Sequence, residues 1–432
     1  MTAIGAHQAK VRGERGLSWR GTGNAALLIA SFGIGQGSIF LAQTLLVSRG
    51  ELELLARFGT CFSFAVLALM IVDFGCMTSV ARRVALADVK GDGAEIRHCF
   101  WSGSMVRLCV AIAVALIGLS YALWSWDDFS CAYLTAATPA LIFWAFNAGG
   151  ILDGLKLSGL SGVTGMATYL CSGAALLPAS GLSANQSGLI LGAALSMGCG
   201  IAVTMQLLTL CHVGRPPGRI SVTWRRCRDL VREGVSVLLA LLPGQLSFRF
   251  QLIICSLLFG QGPTAIFLYG RQITAAGSQV LECVRRAHFP LLVHRIATSV
   301  SPVWTACGVQ RLATWISVSG SSGLLIAGLL IAGSTHAAIA AAAGVVSLFS
   351  FGILSGALVS TLSQAAQALG HYRAVALSAN GAMLICFVAT AALGYWLGLA
   401  GLAVAEVVSH AAGALGLWYL LFRRGLPAWR GK

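Results

Sequence analysis

The chain has 432 residues, of which 57% are hydrophobic and only 10% are charged, and its mean hydropathy is +0.82. Soluble proteins carry about 25% charged residues, so the composition excludes an ordinary soluble protein and predicts an all-α polytopic membrane protein. The net charge of +15 does not indicate nucleic-acid binding, because the basic residues are spread over separate loops and tails without interleaved aromatic residues. That distribution is typical of topology determinants that touch anionic membrane lipid.

Apolar runs of about 20 residues or more, the length that crosses a bilayer, predict twelve membrane-spanning helices. In chain order these helices cover 22–48, 55–80, 100–124, 130–152, 157–180, 187–211, 233–259, 264–289, 312–334, 337–369, 374–397 and 399–422. Polar residues interrupt the eighth helix, and the tenth is long and rich in small residues.

The positions of Lys and Arg agree with this count, because short cytoplasmic loops of membrane proteins accumulate these residues. With the N-terminus in the cytoplasm, all but five of them fall in cytoplasmic segments. The exceptions are Arg49 and Arg57 in outward loops, and Arg107, Arg249 and Arg271 within predicted spans. The pattern predicts that both termini are cytoplasmic.

The most basic loop divides the chain into two halves of six helices each. The predicted segments are a cytoplasmic basic tail at 1–21, an N-terminal lobe at 22–212, a basic inter-lobe linker at 213–232, a C-terminal lobe at 233–422 and a second basic tail at 423–432. Because each half holds an even number of helices, both halves start on the cytoplasmic side. This predicts a parallel repeat about an axis along the membrane normal.

Several catalytic and metal-binding patterns are missing from the sequence. The 13 cysteines form no C-x-x-C pair, which favours apolar packing over metal ligation or disulfides. No G-x-x-x-x-G-K-[ST], H-E-x-x-H or G-x-S-x-G element occurs. The outward loops are short, and their acidic pair Asp127-Asp128 is more typical of a solvated loop than of an enzyme site. We therefore expect a protein that is not an enzyme and binds no cofactor or metal ion.

Pairs of glycines four residues apart recur within or next to the predicted spans. They are Gly150/Gly154, Gly188/Gly192, Gly352/Gly356 and Gly394/Gly398. Small residues at this spacing let membrane helices approach closely, so we expect these pairs at helix–helix contacts.

Arg249 lies near the middle of the stretch 234–260, which holds no other charged residue. Arg271 is likewise an arginine within the next predicted span. A guanidinium stays protonated at cellular pH and costs about 2.5–3.5 kcal/mol at the centre of a membrane helix. No acid is evident at the depth of either arginine, so we expect an anionic ligand, and the fork of donors suits phosphate. Arg107 is a weaker candidate, because it lies near the inner end of its helix and can snorkel.

Other polar residues in the spans form stripes along single helix faces. In the eighth helix Arg271 shares a face with Thr274, Ser278 and Glu282. The remaining stripes pair Gln245 with Arg249, Gln36 with Gln43, and Gln364 with Ser360 and Gln367. These stripes predict a shared polar cavity; the alternative is ordinary hydrogen bonding between buried helices. Glu406 and His410, four residues apart in the twelfth helix, have the spacing of a proton relay or of a hydrogen-bonded packing pair.

Short motifs along most of the chain resemble those of polysaccharide flippases, the Wzx-type branch of the multidrug/oligosaccharidyl-lipid/polysaccharide exporter superfamily. They are Arg57-Phe58-Gly59, Asp73-Phe74-Gly75, Arg82-Arg83, Leu152-Asp153-Gly154-Leu155-Lys156, Tyr269-Gly270, Phe289-Pro290 and Leu369-Gly370-His371-Tyr372. Two positions depart from the pattern. Asp153 is acidic where a neutral residue is expected, and Phe-Arg-Phe at 248–250 stands where relatives often carry an acid.

The resemblance implies two six-helix lobes around a central cavity that opens alternately to the two sides of a bacterial inner membrane. The implied substrate is a polyprenyl-diphosphate-linked oligosaccharide for surface polysaccharide synthesis, and the implied partners are membrane lipid and the polymerase and glycosyltransferases of the same pathway. Arg249, Arg271 and Arg107 would bind the diphosphate, and Gln36, Gln43, Gln245 and Gln364 would bind sugar hydroxyls.

Three alternative functions remain open at this point. A drug or cation antiporter of the same superfamily would need carboxylates in the cavity, where this chain has arginines. A membrane glycosyltransferase or polymerase is disfavoured by the short outward loops. A major-facilitator carrier of a small anion suits twelve helices and buried arginine, but it does not explain the placement of the motifs.

Overall fold

The computed structural model describes residues 3–49, 51–124, 127–218, 222–297, 299, 301–333 and 337–422. This part of the chain is almost entirely α-helical and contains no strand, as the sequence predicts. It packs as two compact units, Met1–Val235 and Ser236–Lys432.

The first unit contains eight helices and the beginning of a ninth. They are α1 (Ala3–Ser48), α2 (Leu52–Asp73), α3 (Cys76–Lys90), α4 (Gly93–Trp124), α5 (Asp128–Ala145), α6 (Gly149–Gly154), α7 (Ser158–Leu176), α8 (Ala184–His212) and the first residues of α9 (Trp224–Phe259). The second unit contains the rest of α9 and six further helices. These are α10 (Gln261–Ile296), α11 (Pro302–Val309), α12 (Arg311–Ala332), α13 (Ala337–Ala368), α14 (Tyr372–Leu397) and α15 (Leu399–Phe422).

Each of the twelve predicted spans corresponds to a helix, but two are divided. The span predicted at 55–80 breaks where Phe74 and Gly75 adopt left-handed backbone angles, φ 53° and 66°, between α2 and α3. The span predicted at 130–152 breaks between α5 and α6. The apolar pattern continues through both breaks, which is why hydropathy does not reveal them.

Within the described residues, ten helical segments are long and apolar enough to cross a bilayer. The other two predicted spans are α7, which is rich in Ser, Gly and Thr, and α10, which carries several charges. Both form continuous helices despite this composition. The eighth span, which polar residues interrupt in the sequence, is one helix of 36 residues.

Several equivalent spans pack against each other in both units. In the first unit α5, the fourth span, contacts α2, α4 and α8. In the second unit α13, the tenth span, contacts α10, α12 and α15 in the same order. The fifth and sixth spans of each unit, α7 with α8 and α14 with α15, also pack together. These shared contacts agree with a duplicated six-helix unit, although within the described residues the close packing of α1 against α7 has no counterpart of similar extent between α9 and α14.

The fourth span ends in the same turn in both units. In the first, Leu157 N–H donates to Leu152 O and Lys156 N–H donates to Asp153 O. In the second, the N–H groups of His371 and Gly370 donate to the carbonyls of Ala366 and Gln367 with the same spacing. This is the Schellman pattern that closes helix C-termini. Its left-handed residue is Lys156 in one unit and Gly370 in the other, at φ 65° and 82°.

The predicted first tail and the predicted linker both contain helix. Helix α1 already begins at Ala3, inside the segment predicted as a tail, and α9 begins at Trp224, inside the predicted linker. The second predicted tail, 423–432, lies outside the described residues.

Ion pairs and a hydrogen bond attach the start of α9, and the residues before it, to α3 and α4. Arg83 forms a two-pronged pair with Glu233, at 2.9 and 3.2 Å. Arg226 pairs with Glu95, and a hydrogen bond from Trp101 Nε1 to Gly218 O adds a further contact. The basic residues here therefore have acidic protein partners as well as any lipid they touch.

The glycine pair of α8 lies at a close helix contact, as its spacing predicts. A methyl group placed on Gly188 or Gly192 would lie 2.4 or 2.3 Å from the backbone carbonyl oxygens of Phe129 and Tyr133 in α5. Gly150 and Gly154 approach the carbonyls of Met77 and Ala81 in α3 in the same way, with the added methyl group at 2.7 Å from each. Backbone atoms at these distances cannot yield without a shift of the whole helix.

Replacing Gly192 with alanine is therefore expected to destabilise the first unit by about 1–3 kcal/mol through overpacking. The matched control is Gly118→Ala, because nothing lies within 4 Å of the added methyl group there. Thermal unfolding of the purified protein in detergent measures both variants. Equal unfolding temperatures for the two variants would contradict the close packing of α5 and α8.

Candidate functional site

In the second unit Arg271 forms a salt bridge with Glu406. The arginine lies on α10 and the glutamate on α15, and the Arg271 Nη1 to Glu406 Oε1 contact is a direct hydrogen bond. The Glu406 side chain is only 8% exposed and that of Arg271 is 25% exposed. The guanidinium carbon also lies 5.9 Å from the ring centroids of both Phe248 and Phe349. The expectation that no acid shares the depth of Arg271 is therefore wrong.

His410 lies beside this pair, one turn further along α15. Its Nδ1 is 2.9 Å from the hydroxyl of Ser355 on α13. The spacing of Glu406 and His410 places both on the face of α15 that packs against α13. We refer to Arg271, Glu406 and His410 as the charged cluster of the second unit.

Two glycines of α13 make room for the charged cluster. A methyl group on Gly352 would lie 3.3 Å from the Glu406 carboxyl carbon, and one on Gly356 would lie 3.3 Å from His410 Cε1. The spacing of these glycines predicts a close helix contact. In the structure the glycines face polar side chains, so their small size accommodates the cluster.

A cavity of about 190 Å³ opens onto the charged cluster. Its polar lining includes Ser247 and Gln251 of α9, Ser363 of α13, Ser378 of α14 and Ser409 of α15. Its apolar lining includes Pro243, Val359, Val375 and Met383. The cavity combines a cation, an acid and several hydroxyl groups, which is the chemistry needed to exchange a proton or to hold a small anion.

Arg249 has a different environment. Its side chain is exposed, as is that of Gln245 one turn earlier. Within the part of the chain that the structure describes, its guanidinium has no hydrogen bond and no ion pair to another side chain. Gln251, on the opposite side of α9, is buried and donates to Leu402 O at 3.4 Å. Helix α9 therefore turns Gln251 towards the charged cluster and Arg249 away from it.

Arg107 is a buried structural residue in the first unit. Its Nη2 lies 2.9 Å from Asp73 Oδ1, and its Nη1 donates to the backbone carbonyl of Asn147 at 2.5 Å. The side chains of Arg107 and Asp73 are 4% and 18% exposed. Arg107 thereby connects α4 to both helix breaks, at 74–75 and at 146–148. The expectation that it snorkels towards water is wrong, because the break after Asp73 supplies an acid at its depth.

The four glutamines predicted to bind sugar hydroxyls lie in different environments. Gln36 is half-buried and hydrogen-bonds Tyr169 within the first unit, and Gln43 is half-buried on the same helix. Gln364 is buried and accepts a hydrogen bond from Gln310 Nε2 at 2.5 Å. Gln245 alone among them is exposed next to Arg249. Sequence periodicity identified the helix faces but did not show that Gln364 is occupied by a packing contact.

Asp127 caps the N-terminus of α5. Its carboxylate accepts hydrogen bonds from Ser130 N–H, at 3.0 Å, and from the Ser130 hydroxyl, at the N-terminus of α5. The Ser130 hydroxyl holds the pKa of this carboxyl below its ordinary value, with smaller contributions from the Ser130 N–H and from Arg57. Asp127 therefore has a structural role as the N-cap of α5.

The Asp127 cap is expected to contribute about 1 kcal/mol of stability at neutral pH. Because its pKa is lowered on folding, the charge-dependent part is present above the ordinary carboxyl pKa and is lost as pH falls through the lowered value. Asp127→Ala should therefore lower the unfolding temperature at pH 7 more than at acidic pH. Asp127→Asn, which keeps a capping oxygen, is the control; a loss independent of pH in Asp127→Ala would contradict the contribution of charge.

Comparisons with known proteins agree with this architecture. A family model described as polysaccharide biosynthesis protein matches residues 50–294, more than half of the chain. No curated protein sequence matches significantly.

Several solved structures share the fold, and they are MATE transporters. One in complex with MaD3S matches with a TM-score of 0.76 and 13% identity over 94% of this chain and 96% of that chain. An outward-facing multidrug resistance transporter of the MOP superfamily matches with a TM-score of 0.74 and 15% identity over the same fractions. A eukaryotic MATE transporter matches with 0.64 and 16%, again over 94% and 96%. The chain is therefore a multi-pass membrane protein of the polysaccharide biosynthesis protein family, built on the fold of the MATE transporters.

Proposed function

We propose that this protein is a flippase that moves polyprenyl-diphosphate-linked oligosaccharides across a bacterial inner membrane by alternating access. The observation that carries the proposal is the exposed guanidinium of Arg249, in the middle of an apolar span and without a protein partner among the described residues. A charge in that position needs a polar surrounding. A phosphate-bearing ligand supplies both the polarity and the opposite charge.

The family supports this choice of substrate. Members of a polysaccharide biosynthesis family handle sugars, and sugar units that cross a membrane for polymer assembly need a carrier lipid. In a lipid-linked diphosphate the charged group lies in the headgroup, at the membrane surface. Moving this group into hydrocarbon costs more free energy than moving any other part of the molecule. Arg249 would bind this group, and Gln245 beside it would bind the first sugar hydroxyls. Arg271 contributes only when it is released from Glu406.

The rival function is export of a drug or cation, as the MATE fold allows. A cation site needs a carboxylate that is free to bind the ligand. Glu406 is the buried carboxylate of the cavity in the second unit, and Arg271 already neutralises it. The arrangement therefore favours an anionic substrate. The expected partners are the glycosyltransferases that make the lipid-linked unit and the polymerase that consumes it.

A deletion strain tests the proposed function directly. Cells that lack the protein should accumulate completed lipid-linked oligosaccharide on the cytoplasmic leaflet and lose surface polysaccharide. An unassembled oligosaccharide in the deletion strain would instead indicate a glycosyltransferase. Increased drug sensitivity with normal surface polysaccharide would indicate the antiporter.

A further inference from the structure

In the charged cluster of the second unit, only one of the two carboxylate oxygens of Glu406 has a hydrogen-bond partner among the described residues. Glu406 Oε1 contacts Arg271, but Glu406 Oε2 is buried and has no hydrogen-bond partner among the described residues. A buried carboxylate oxygen without a donor is costly. Adding a proton to that oxygen removes the negative charge that holds Arg271.

The surroundings of Glu406 allow the proton to be exchanged. The titratable or charged groups facing it are Arg271 from α10, Cys386 from α14 and His410 from its own helix. The elements α9 and α13 contribute Gln251, Ser355 and the two glycines, none of which titrates. The cavity of about 190 Å³ borders the cluster and is large enough to hold water molecules that could carry the proton.

We propose that Arg271, Glu406 and His410 form a proton-controlled anion site. With Glu406 ionised, the carboxylate occupies the guanidinium of Arg271. When Glu406 takes up a proton, Arg271 is released to bind a phosphate-bearing anion in the same cavity, which His410 also lines. The cluster would be a second phosphate site, switched by protonation and separate from Arg249, which is available at any pH. Its role in transport rests on the proposed function, but the linkage between proton and anion does not.

The linkage has a definite sign. Neutralising Glu406 changes the net charge of the cluster from zero to +1, so anions bind more tightly as pH falls. By thermodynamic reciprocity, anion binding must also draw protons onto the protein. Coupling between two ligands is typically about 5–150-fold in affinity, which is large enough to measure with a simple anion.

The test uses the full chain in lipid nanodiscs and inorganic pyrophosphate as the probe. We expect the affinity of the wild-type protein for pyrophosphate to rise about 10-fold or more between pH 8 and pH 5.5. Glu406→Gln should bind pyrophosphate at pH 8 about 10-fold or more tightly than the wild type does at that pH. The matched control is Glu282→Gln, which removes the other acidic residue of the second unit, an exposed one that does not line the cavity; it should behave as the wild type.

Proton uptake by the unmodified protein gives a second measurement that does not depend on a variant folding. Adding pyrophosphate, adjusted beforehand to pH 8, to the protein in weak buffer at pH 8 should raise the pH of the solution more than the same addition to nanodiscs without protein. Absence of proton uptake, or wild-type pH dependence in a folded Glu406→Gln variant, would overturn the proposal. If proton-linked binding is present while the deletion strain exports polysaccharide normally, the flippase proposal fails and the anion site stands.

Discussion

Replacing Arg249 with alanine is expected to abolish export of surface polysaccharide while leaving membrane insertion and stability unchanged. The side chain is exposed and makes no described contact within its unit, so its removal leaves no cavity and no unpaired partner. Its loss removes the proposed cation for the diphosphate. Lysine keeps the charge but not the fork of donors, so Arg249→Lys should retain part of the transport.

The control is Arg225→Ala, which removes another exposed arginine from the same helix, near its beginning. Export, the amount of protein in the membrane and the unfolding temperature should be measured together for the three variants. Normal export by a well-expressed Arg249→Ala variant would refute the role of this residue. A fall in stability that accompanies the loss of export would show that Arg249 has a structural partner instead.

Replacing Arg107, unlike replacing Arg249, is expected to lower the stability of the protein. Removing one member of a buried ion pair typically costs about 3–5 kcal/mol, because the other charge stays buried without compensation. Arg107→Met should therefore lower the unfolding temperature strongly and reduce the amount of protein in the membrane. Asp73 would keep its hydrogen bond from the Met77 N–H, at 3.1 Å, but would lose its cation.

The double variant Arg107→Met/Asp73→Asn separates a structural role from a role in transport. Asparagine keeps an oxygen for the Met77 N–H, and neither residue is then charged. Most of the lost stability should return, and export should return with it. A stable double variant that does not export would show instead that Arg107 contacts the substrate.

Much of the fold follows from simple sequence patterns. Hydropathy and the distribution of basic residues predict helices that the structure contains, and glycine spacing predicts the contacts of α8 with α5 and of α6 with α3. These features depend on local composition. The break at Phe74 and Gly75 is invisible to hydropathy, because an apolar residue and a glycine fit equally well inside a span.

The charged cluster is harder to predict from the sequence, because residues of helices far apart in the chain must lie at the same depth in the membrane. Arg271 and Glu406 are 135 residues apart in the chain, and counting from uncertain helix ends does not place them at one level. The spacing of Glu406 and His410 did signal a polar face of α15. The spacing of Gly352 and Gly356 signalled a close approach to α13, but only the structure shows that these glycines accommodate Glu406 and His410.

The turn that ends the fourth span of each unit bears on how the chain evolved. Lys156 and Gly370 occupy the same left-handed position, although a residue with a side chain costs about 1–2 kcal/mol there and glycine does not. If one ancestral unit was copied, the hydrogen bonds of this turn survived while its residues diverged. The same hydrogen bonds also close α3 at Gly91 and α8 at Gly214, so the bonding sets the form of the turn and leaves its residues free to vary.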